Sequence, residues 1–427
     1  MGVCQGRTLS LFRKKGIRAA VCVLSVLFLA VSFPSEAREG IHQNYELEKV
    51  VIFSRHNLRS PMSTDEDKRN SMTPHRWRKP EGAPGDLSNR GGILETMMGE
   101  SVKDYLDREH FAPVQSRTSH FYSDSDERTI ATARFFAAGV APLEEISISH
   151  RPQGEKDPVF ASALPENLSD SALEELKQKE NVWRSRFLAE RGEKLGSDFK
   201  EMERVLDISR SPAARQGQFR GFDSYDCRVQ LEKGKKPKLS GSLKTAHSLA
   251  DSLLIQYYET GDDRKAAFGH AMTFKDWEKI GDLKDDFGLL LYGMPQSARL
   301  MAGPLLSAIR NEMEGTVPFS YICGHDSNIS LILASLGTLP YELPGSLEKR
   351  VPFGVKIFIE KWKGEDRKEY GTISLLYYRT DQIRHLQVPG KDSLPAVYPL
   401  RFQGTAVNED GMMLWADVVK LFDRASD

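Results

Sequence analysis

Cysteine is scarce in this chain, with four among 427 residues, and two of them, Cys4 and Cys22, lie in a basic and apolar N-terminal stretch. The other two, Cys227 and Cys323, allow one disulfide, but sequence alone cannot bring two thiols within bonding range. No cysteine pair has zinc-site spacing, and the chain contains neither an HExxH motif nor a GxxxxGK[ST] loop. These absences exclude zinc proteases of the HExxH type and P-loop nucleotide-binding proteins.

Neither sign of charge dominates, because 59 basic residues face 60 acidic ones and the formal net charge is −1. Binding to the nucleic-acid backbone requires clustered Lys and Arg, so nucleic acid is excluded as a bulk partner. With 40% hydrophobic residues, the composition predicts a globular chain of one large or two interlocked domains. Any phosphate group that this protein binds must be recognised locally.

The N-terminal apolar run, from Ala19 to Val31, is shorter than the roughly 20 residues of a membrane-spanning helix. Basic residues precede it, and Ser35-Glu36-Ala37 supplies the small residues that a signal peptidase prefers. We therefore expect residues 1–37 to be a signal peptide cleaved after Ala37; an uncleaved anchor is the alternative. Cleavage removes five basic residues and one acidic residue, which leaves 54 against 59, a net charge of about −5.

Strands and helices alternate in the remainder of the chain. Helical periodicity extends over Asn89–Asp107 and through the segment DERTIATARFFAAGVAP, and residues 165–311 are mostly helical and charged. The pattern predicts an α/β core built from residues 38–164 and 312–427, with a mostly helical insertion at 165–311. The predicted strands are Val50–Phe53, Ser119–Ser123, Phe319–Cys323 and the segments VKIFIEKW and TISLLYYR.

The segment SRHNLRSP places one histidine and two arginines directly after the first predicted strand. Ligands of open α/β sheets usually bind at the carboxyl ends of strands, and guanidinium groups form paired hydrogen bonds with phosphate oxygens. Arg55, His56 and Arg59 therefore predict a pocket for a tetrahedral oxyanion, with the histidine facing phosphorus. Taken alone, the motif is more often a surface salt-bridge cluster than an anion pocket.

A second strand ends in a similar way. In YICGHDSN, an apolar strand and a turn at Gly324 precede His325 and Asp326. His325 can hydrogen-bond the same anion, and Asp326 can protonate a leaving alkoxide. Arg128, in SDSDERTIATA, lies between a strand and a helix whose N-terminus offers backbone donors. The three segments together favour one shared anion site.

RHNLRSP and GHDSN together resemble the signature of the histidine acid phosphatases, which have an RHGxRxP motif near the N-terminus and a His-Asp pair near the C-terminus. NRGGILETMMG, MPQSARLMAGPLL and VPFGVKIFIEKW also resemble segments of the bacterial branch. Asn57, which replaces the usual glycine, makes the motif most similar to that of periplasmic glucose-1-phosphatases. The resemblance implies a phosphoglycerate mutase-like fold, with a central mixed sheet flanked by helices and residues 165–311 as a lid over the pocket.

The same resemblance implies that His56 is the nucleophile that becomes a phosphohistidine, that Asp326 is the proton donor and that Asn57 marks specificity. Because a guanidinium cluster can neutralise phosphoryl oxygens, we expect no metal and no other cofactor. The expected function is a periplasmic acid phosphomonoesterase acting on small sugar phosphates such as glucose 1-phosphate, without membrane contact after cleavage. The residues implied to hold the phosphoryl oxygens are Arg55, Arg59, Arg128 and His325.

A lysine-rich run keeps a second substrate class open. A charge run of this kind is usually a solvated face, but at the pocket mouth it would favour a substrate with several phosphates, such as inositol hexakisphosphate. The alternative function is therefore a phytase. A non-catalytic receptor for phosphorylated ligands is the alternative from another class, and the presence of both His56 and Asp326 disfavours it. The run comprises Lys233, Lys235, Lys236 and Lys238.

Overall fold

The computed structural model describes residues 44–386 and 395–426. The predicted signal peptide, residues 1–37, lies outside the described residues, as do Cys4 and Cys22. Among the helices that the structure describes, none is both long and apolar enough to cross a bilayer.

The described residues contain ten strands, eight of which form one central sheet. Their bounds are β1 Tyr45–Arg55, β2 Ser119–Ser123, β3 Ile148–Ser149, β4 Cys227–Gln230, β5 Lys238–Gly241, β6 Phe319–Gly324, β7 Lys356–Gly364, β8 Glu369–Tyr377, β9 Ala396–Pro399 and β10 Met413–Leu414. The order in the central sheet is β10-β8-β7-β1-β6-β2-β3, with β9 beside β8. β1, β6, β2 and β3 are parallel, whereas β7, β8, β9 and β10 pair antiparallel, so the predicted mixed sheet is confirmed.

The helices cover both faces of this sheet and form most of the segment between β3 and β6. Their bounds are α1 Glu66–Ser71, α2 Asn89–Arg108, α3 Glu127–Val140, α4 Asp170–Val205, α5 Pro212–Arg215, α6 Ser242–Glu259, α7 Asp263–Ala266, α8 Phe274–Tyr292, α9 Pro295–Glu314, α10 Asp326–Ser335, α11 Thr380–His385 and α12 Trp415–Ser426.

Strand β1 forms the centre of the core. Val50 and Ile52 pack into one hydrophobic cluster and Val51 and Phe53 into the other, because side chains alternate across a strand and helices cover both faces. The strand is longer than the predicted Val50–Phe53. Its first residues, from Tyr45 onward, alternate between exposed and buried while they pair with β7, and this amphipathic half lacks the continuous apolar run.

Helices α2 and α3 pack on one face of the sheet and approach each other closely at two glycines. A Cβ atom on Gly99 would lie 2.4 Å from the backbone oxygen of Phe136, and one on Gly139 would lie 2.2 Å from that of Thr96. This contact fixes the C-terminal end of α3 against α2, whereas Arg128 lies in the first turn of α3. Glycine is therefore required at this crossing for packing.

Helices α9, α10 and α12 cover the opposite face, where α9 packs against α10, α12 and β1. In the segment predicted as an insertion, α4, α6 and α8 pack together, and β4 and β5 form an antiparallel hairpin that the expectation of a helical insertion did not include. The boundaries of that insertion remain a prediction. Both described cysteines are free and buried, Cys227 in β4 and Cys323 in β6, so no bridge joins them.

Candidate active site

The carboxyl ends of three parallel strands meet at one edge of the sheet. Arg55, the last residue of β1, lies in register with Gly324 of β6, and the amide of His56 donates to the Gly324 oxygen at 2.9 Å. The rings of His56 and His325 consequently lie 5.5 Å apart between centroids. Beside them, the amide of Asp124, which follows β2, donates to the Cys323 oxygen. These strand ends form the floor of a cavity of about 1170 Å³.

Backbone geometry sets the tautomer of His56. Its Nδ1 lies 2.8 Å from the backbone oxygen of Asn57, which can only accept, so Nδ1 carries the proton. Burial lowers the pKa of His56 well below its ordinary value, and the positive charges of Arg128, Arg55 and Arg59 lower it further. The imidazole is therefore neutral, and Nε2 has a free lone pair. A neutral histidine with a lone pair in a cation-lined cavity is suited to nucleophilic attack.

Arg55 is buried in the cavity floor, with a side chain that is 1% exposed. Its Nη1 contacts Glu348 and donates to the backbone oxygen of Val351, and its guanidinium carbon lies 4.1 Å from the centre of the Phe353 ring. Among the described residues, Arg55 Nε and Arg128 Nε have no hydrogen-bond acceptor. Buried donors without acceptors are costly, so these groups indicate an anion-binding site.

A chain of alternating buried charges connects Arg55 to Arg59. Arg59 Nη2 donates to Asp251 Oδ2 at 3.0 Å, and Lys284 Nζ donates to Asp251 Oδ1 at 2.9 Å. Lys284 also lies 2.7 Å from Glu348, whose other charged contact is Arg55 at 3.3 Å. Asp251 lies on α6 and Lys284 on α8, so this chain ties the inserted helices to the strand-end loops.

Asp326 begins α10 and lines the cavity, with 46% of its side chain exposed. Its Oδ2 lies 3.3 Å from Arg55 Nη2. Desolvation acts to raise the pKa of Asp326, but the positive charges of Arg55 and Lys284 outweigh it and hold the pKa well below the usual range. The carboxylate is therefore ionised before a ligand binds.

Both ring nitrogens of His325 have partners. Nε2 lies 2.8 Å from Asp124 Oδ2, and Nδ1 lies 3.4 Å from Arg128 Nη2. Arg128 Nη2 also contacts Asp126 at 2.5 Å. Asp124, Asp126 and His325 are close enough to hold a metal ion, but Arg128 already places a positive charge beside these carboxylates. We therefore keep the expectation that the arginines, and no metal, neutralise the bound anion.

The comparisons with known proteins agree with this geometry. Residues 46–378 match the histidine phosphatase superfamily (branch 2). The chain belongs to this family. It is 28% identical to a glucose-1-phosphatase of Providencia rettgeri over 417 residues, 95% of this chain and 98% of that protein. It is 26% identical to phytase AppA of Escherichia coli over 435 residues, 93% of this chain and 97% of that protein.

Solved structures show the same fold. The apo form of Hafnia alvei phytase matches this histidine phosphatase with a TM-score of 0.79 at 23% sequence identity, covering 90% of this chain and 98% of that one. The Klebsiella sp. ASR1 phytase matches with a TM-score of 0.74 at 18% identity, covering 90% and 96%. The predicted histidine phosphatase fold is thus confirmed.

The side chain of Asn57, predicted to mark specificity, is directed away from the cavity. Its Nδ2 donates to Glu95 Oε1 at 2.8 Å, and its Oδ1 accepts from the amide of Leu58 at 2.8 Å. Gly354, at a φ of +70°, lets the backbone pass close by, since a Cβ there would lie 2.4 Å from Asn57 Nδ2. An influence of Asn57 on specificity would therefore act through the position of its neighbour His56.

A buried ion pair supports this loop from below. Lys356 Nζ lies 2.9 Å from Glu95 Oε2 and donates to Ser54 Oγ at 2.9 Å, and the side chains of Lys356 and Glu95 are both 0% exposed. Glu95 in turn accepts from Asn57, so the charges of α2 and β7 orient the residue that follows His56. Glu95 and Lys356 are positioning residues of the phosphatase site.

Several residues that contact the predicted site residues are not among those that the sequence analysis selected. Asp251 is the only acidic residue of α6 before its last residue, and Lys356 begins a strand that continues with apolar residues. An isolated charge in an apolar segment was therefore the signal that could have identified these two residues. Glu348 lies in an irregular segment and carried no signal. The residues missed are Glu95, Asp124, Asp251, Lys284, Glu348 and Lys356.

The lysine-rich run lies at the β4–β5 hairpin. Lys233 pairs with Asp170 and Lys235 with Glu232 at the surface, whereas Lys236 lines the catalytic cavity. The run therefore agrees in part with each alternative. Lys233 and Lys235 lie on a solvated face, and Lys236 reaches the pocket, where it would favour a substrate with several phosphates.

Replacing Glu95 with Gln should destabilise the protein by about 3 kcal/mol, because the substitution leaves the Lys356 ammonium buried without a counter-charge. Urea unfolding of the purified protein measures this loss. Glu100→Gln, at an exposed position of the same helix, is the matched control and should change stability by less than about 0.5 kcal/mol. An equal, small effect of both substitutions would contradict the assigned role of the ion pair.

Proposed function

We propose that the protein is an exported acid phosphomonoesterase that hydrolyses sugar phosphates such as glucose 1-phosphate through a phosphohistidine. One observation carries the proposal: a neutral His56, with its Nε2 lone pair, shares a cavity with buried guanidinium donors of Arg55 and Arg128 that have no acceptor among the described residues. Export rests on the predicted signal peptide at residues 1–37. The name of the Providencia relative, a glucose-1-phosphatase, supports the substrate.

The proposed reaction has two steps. The phosphoryl oxygens bind Arg55, Arg59 and Arg128, which neutralise their charge, and His56 Nε2 attacks phosphorus as the P–O bond of the ester breaks. Asp326 gives a proton to the departing oxygen, so the sugar leaves as an alcohol. Water then attacks the N–P bond, Asp326 takes up a proton from that water, and phosphate and neutral His56 result.

The proton used by Asp326 must arrive with the substrate. Arg55 and Lys284 keep this carboxylate ionised in the free enzyme, but a bound phosphoryl group offsets their positive charge. Asp326 can then accept a proton from the phosphate monoanion and pass it to the leaving oxygen. This transfer explains why an acidic solution favours the reaction even though the pKa of Asp326 is low.

The charges on the cavity wall bear on how many phosphates a substrate can carry. Arg191 pairs with Asp286 and Arg186 with Glu190, which lowers the positive charge that these two arginines offer to further phosphates. Phytase activity is the second candidate. Four cations line the cavity and have no ion pair among the described residues, namely Lys156, Lys236, Lys244 and Arg350, and the cavity of about 1170 Å³ is larger than one sugar phosphate needs.

Phosphate release from glucose 1-phosphate and from phytate, measured side by side at acidic pH, tests the substrate. We expect at least tenfold faster release from glucose 1-phosphate, in line with the name of the Providencia relative. His56→Ala should abolish both activities and serves as the blank. Faster release from phytate would replace the substrate assignment, and no release from either would indicate a phosphorylated-ligand receptor.

The rate should also depend on pH in a way that follows from Asp326. Since the proton enters with the phosphate monoanion, and the second phosphate pKa is about 6, kcat/KM for glucose 1-phosphate should fall about tenfold per pH unit above that value. His56, whose pKa lies well below its ordinary value, stays neutral across this range and adds no loss on the acidic side.

The leaving group provides the control for this assignment. Asp326→Asn should slow hydrolysis of glucose 1-phosphate by about 10²-fold or more, but that of 4-nitrophenyl phosphate much less, because nitrophenolate leaves without a proton. Equal losses on the two substrates, or a flat pH profile between 5 and 7, would rule out Asp326 as the proton donor.

A further inference from the structure

A cluster of two imidazoles and one carboxylate lies away from the catalytic cavity. His75 Nε2 is 2.7 Å from Asp207 Oδ2, and His270 Nε2 is 3.1 Å from the same oxygen. Each of the three side chains is about one quarter exposed, at 26%, 24% and 26% for His75, Asp207 and His270. None of the three lines the catalytic cavity, so the reaction proposed above does not use them.

The cluster joins three segments that are distant in sequence. His75 lies between α1 and α2, Asp207 follows the long helix α4, and His270 lies between α7 and α8. Asp207 has a φ of 49°, a left-handed conformation that Asp tolerates better than most residues and that turns the chain at the end of α4. The ring of His75 stacks on Phe268 at 4.9 Å, which fixes the plane of the imidazole.

The donor atoms have the types and the spacing of a transition-metal site. One atom from each of the three side chains can be chosen so that all lie within 4.8 Å of one another. Zn²⁺ binds imidazole nitrogen and carboxylate oxygen at about 2.0–2.2 Å, so the ligands of one tetrahedral ion lie about 3.3 Å apart. Nε2–Oδ2 distances of 2.7 and 3.1 Å require only a small outward movement of the two rings.

We propose that His75, Asp207 and His270 bind a divalent transition-metal ion, with Zn²⁺ as the best match. The partly exposed site leaves a fourth position for water. Two neutral imidazoles and one carboxylate would hold the ion. In each ring the proton that now points to Asp207 would move from Nε2 to Nδ1, so that the Nε2 lone pair can bind the ion.

The ion would stabilise the fold by cross-linking distant segments. The His75–Asp207 contact spans 132 residues and the Asp207–His270 contact spans 63, and the described part of the chain has no disulfide to constrain these loops. A link that closes long loops restricts the unfolded chain most strongly. The ion would also tether the segment after Arg59 to the inserted helices, at a distance from the reacting groups.

Calorimetric titration of the EDTA-stripped, dialysed protein with ZnCl₂ tests the site, and thermal unfolding is the second readout. We expect the protein to bind one Zn²⁺ ion at a site that requires His75 and His270. The Tm should rise by about 3–5 °C when the Zn²⁺ concentration is a hundred times Kd. The double variant His75→Asn, His270→Asn should lose both effects. Its amide groups can still donate to Asp207, so the apo fold should be retained.

A second double variant, His150→Asn with His385→Asn, removes two exposed imidazoles elsewhere and should bind Zn²⁺ as the unsubstituted protein does. An activity assay distinguishes the proposed site from Zn²⁺ binding at Asp124, Asp126 and His325. An ion at that second cluster would inhibit phosphate release, and it would still bind in the first double variant. Absence of Zn²⁺ binding, or equal binding and equal Tm shifts in both double variants, would overturn the proposal.

Discussion

The site depends on a chain of alternating charges that runs from the partly exposed Asp326 to Arg59. Between them lie the buried side chains of Arg55, Glu348, Lys284 and Asp251. Burying one of these charges alone would cost several kcal/mol, so each is retained only because its neighbours have the opposite sign. The chain holds Arg55 in the buried floor and leaves its Nε without an acceptor among the described residues. A phosphoryl group would therefore meet donors that are already oriented, and little reorganisation is needed in the transition state.

The same charges separate the roles of two titratable groups. Burial and the arginines keep His56 neutral, as the proposed nucleophile requires, and Arg55 and Lys284 keep Asp326 ionised in the free protein. In the proposed mechanism, binding of the substrate phosphate would both position phosphorus and prepare the acid. Beneath the loop, Glu95 and Lys356 hold Asn57, whose backbone oxygen in turn fixes the tautomer of His56. The catalytic geometry therefore extends two layers below the cavity.

The sequence predicts the site residues at the strand ends better than it predicts the buried residues that hold them in place. Apolar runs identify β1, β2 and β6, and because parallel strands end at one edge, Arg55, His56, Arg128, His325 and Asp326 are expected to meet, as they do in the structure. The direction of the Asn57 side chain depends on loop geometry that no pattern encodes. Asp251 and Glu348 lie 192 and 293 residues from their arginine partners, and strand β4 has only four residues, too few for a periodic signal.

Identification of the phosphorylated atom tests the central claim most directly. The protein is mixed with substrate, quenched in alkali within milliseconds, and digested, and the position of the phosphate is determined by mass spectrometry and phosphorus NMR. The account predicts one phosphoryl group on Nε2 of His56, since Nδ1 is held by the Asn57 oxygen. Phosphate on Nδ1 or on another residue, or a single-turnover reaction that passes through no phosphoenzyme, would contradict it.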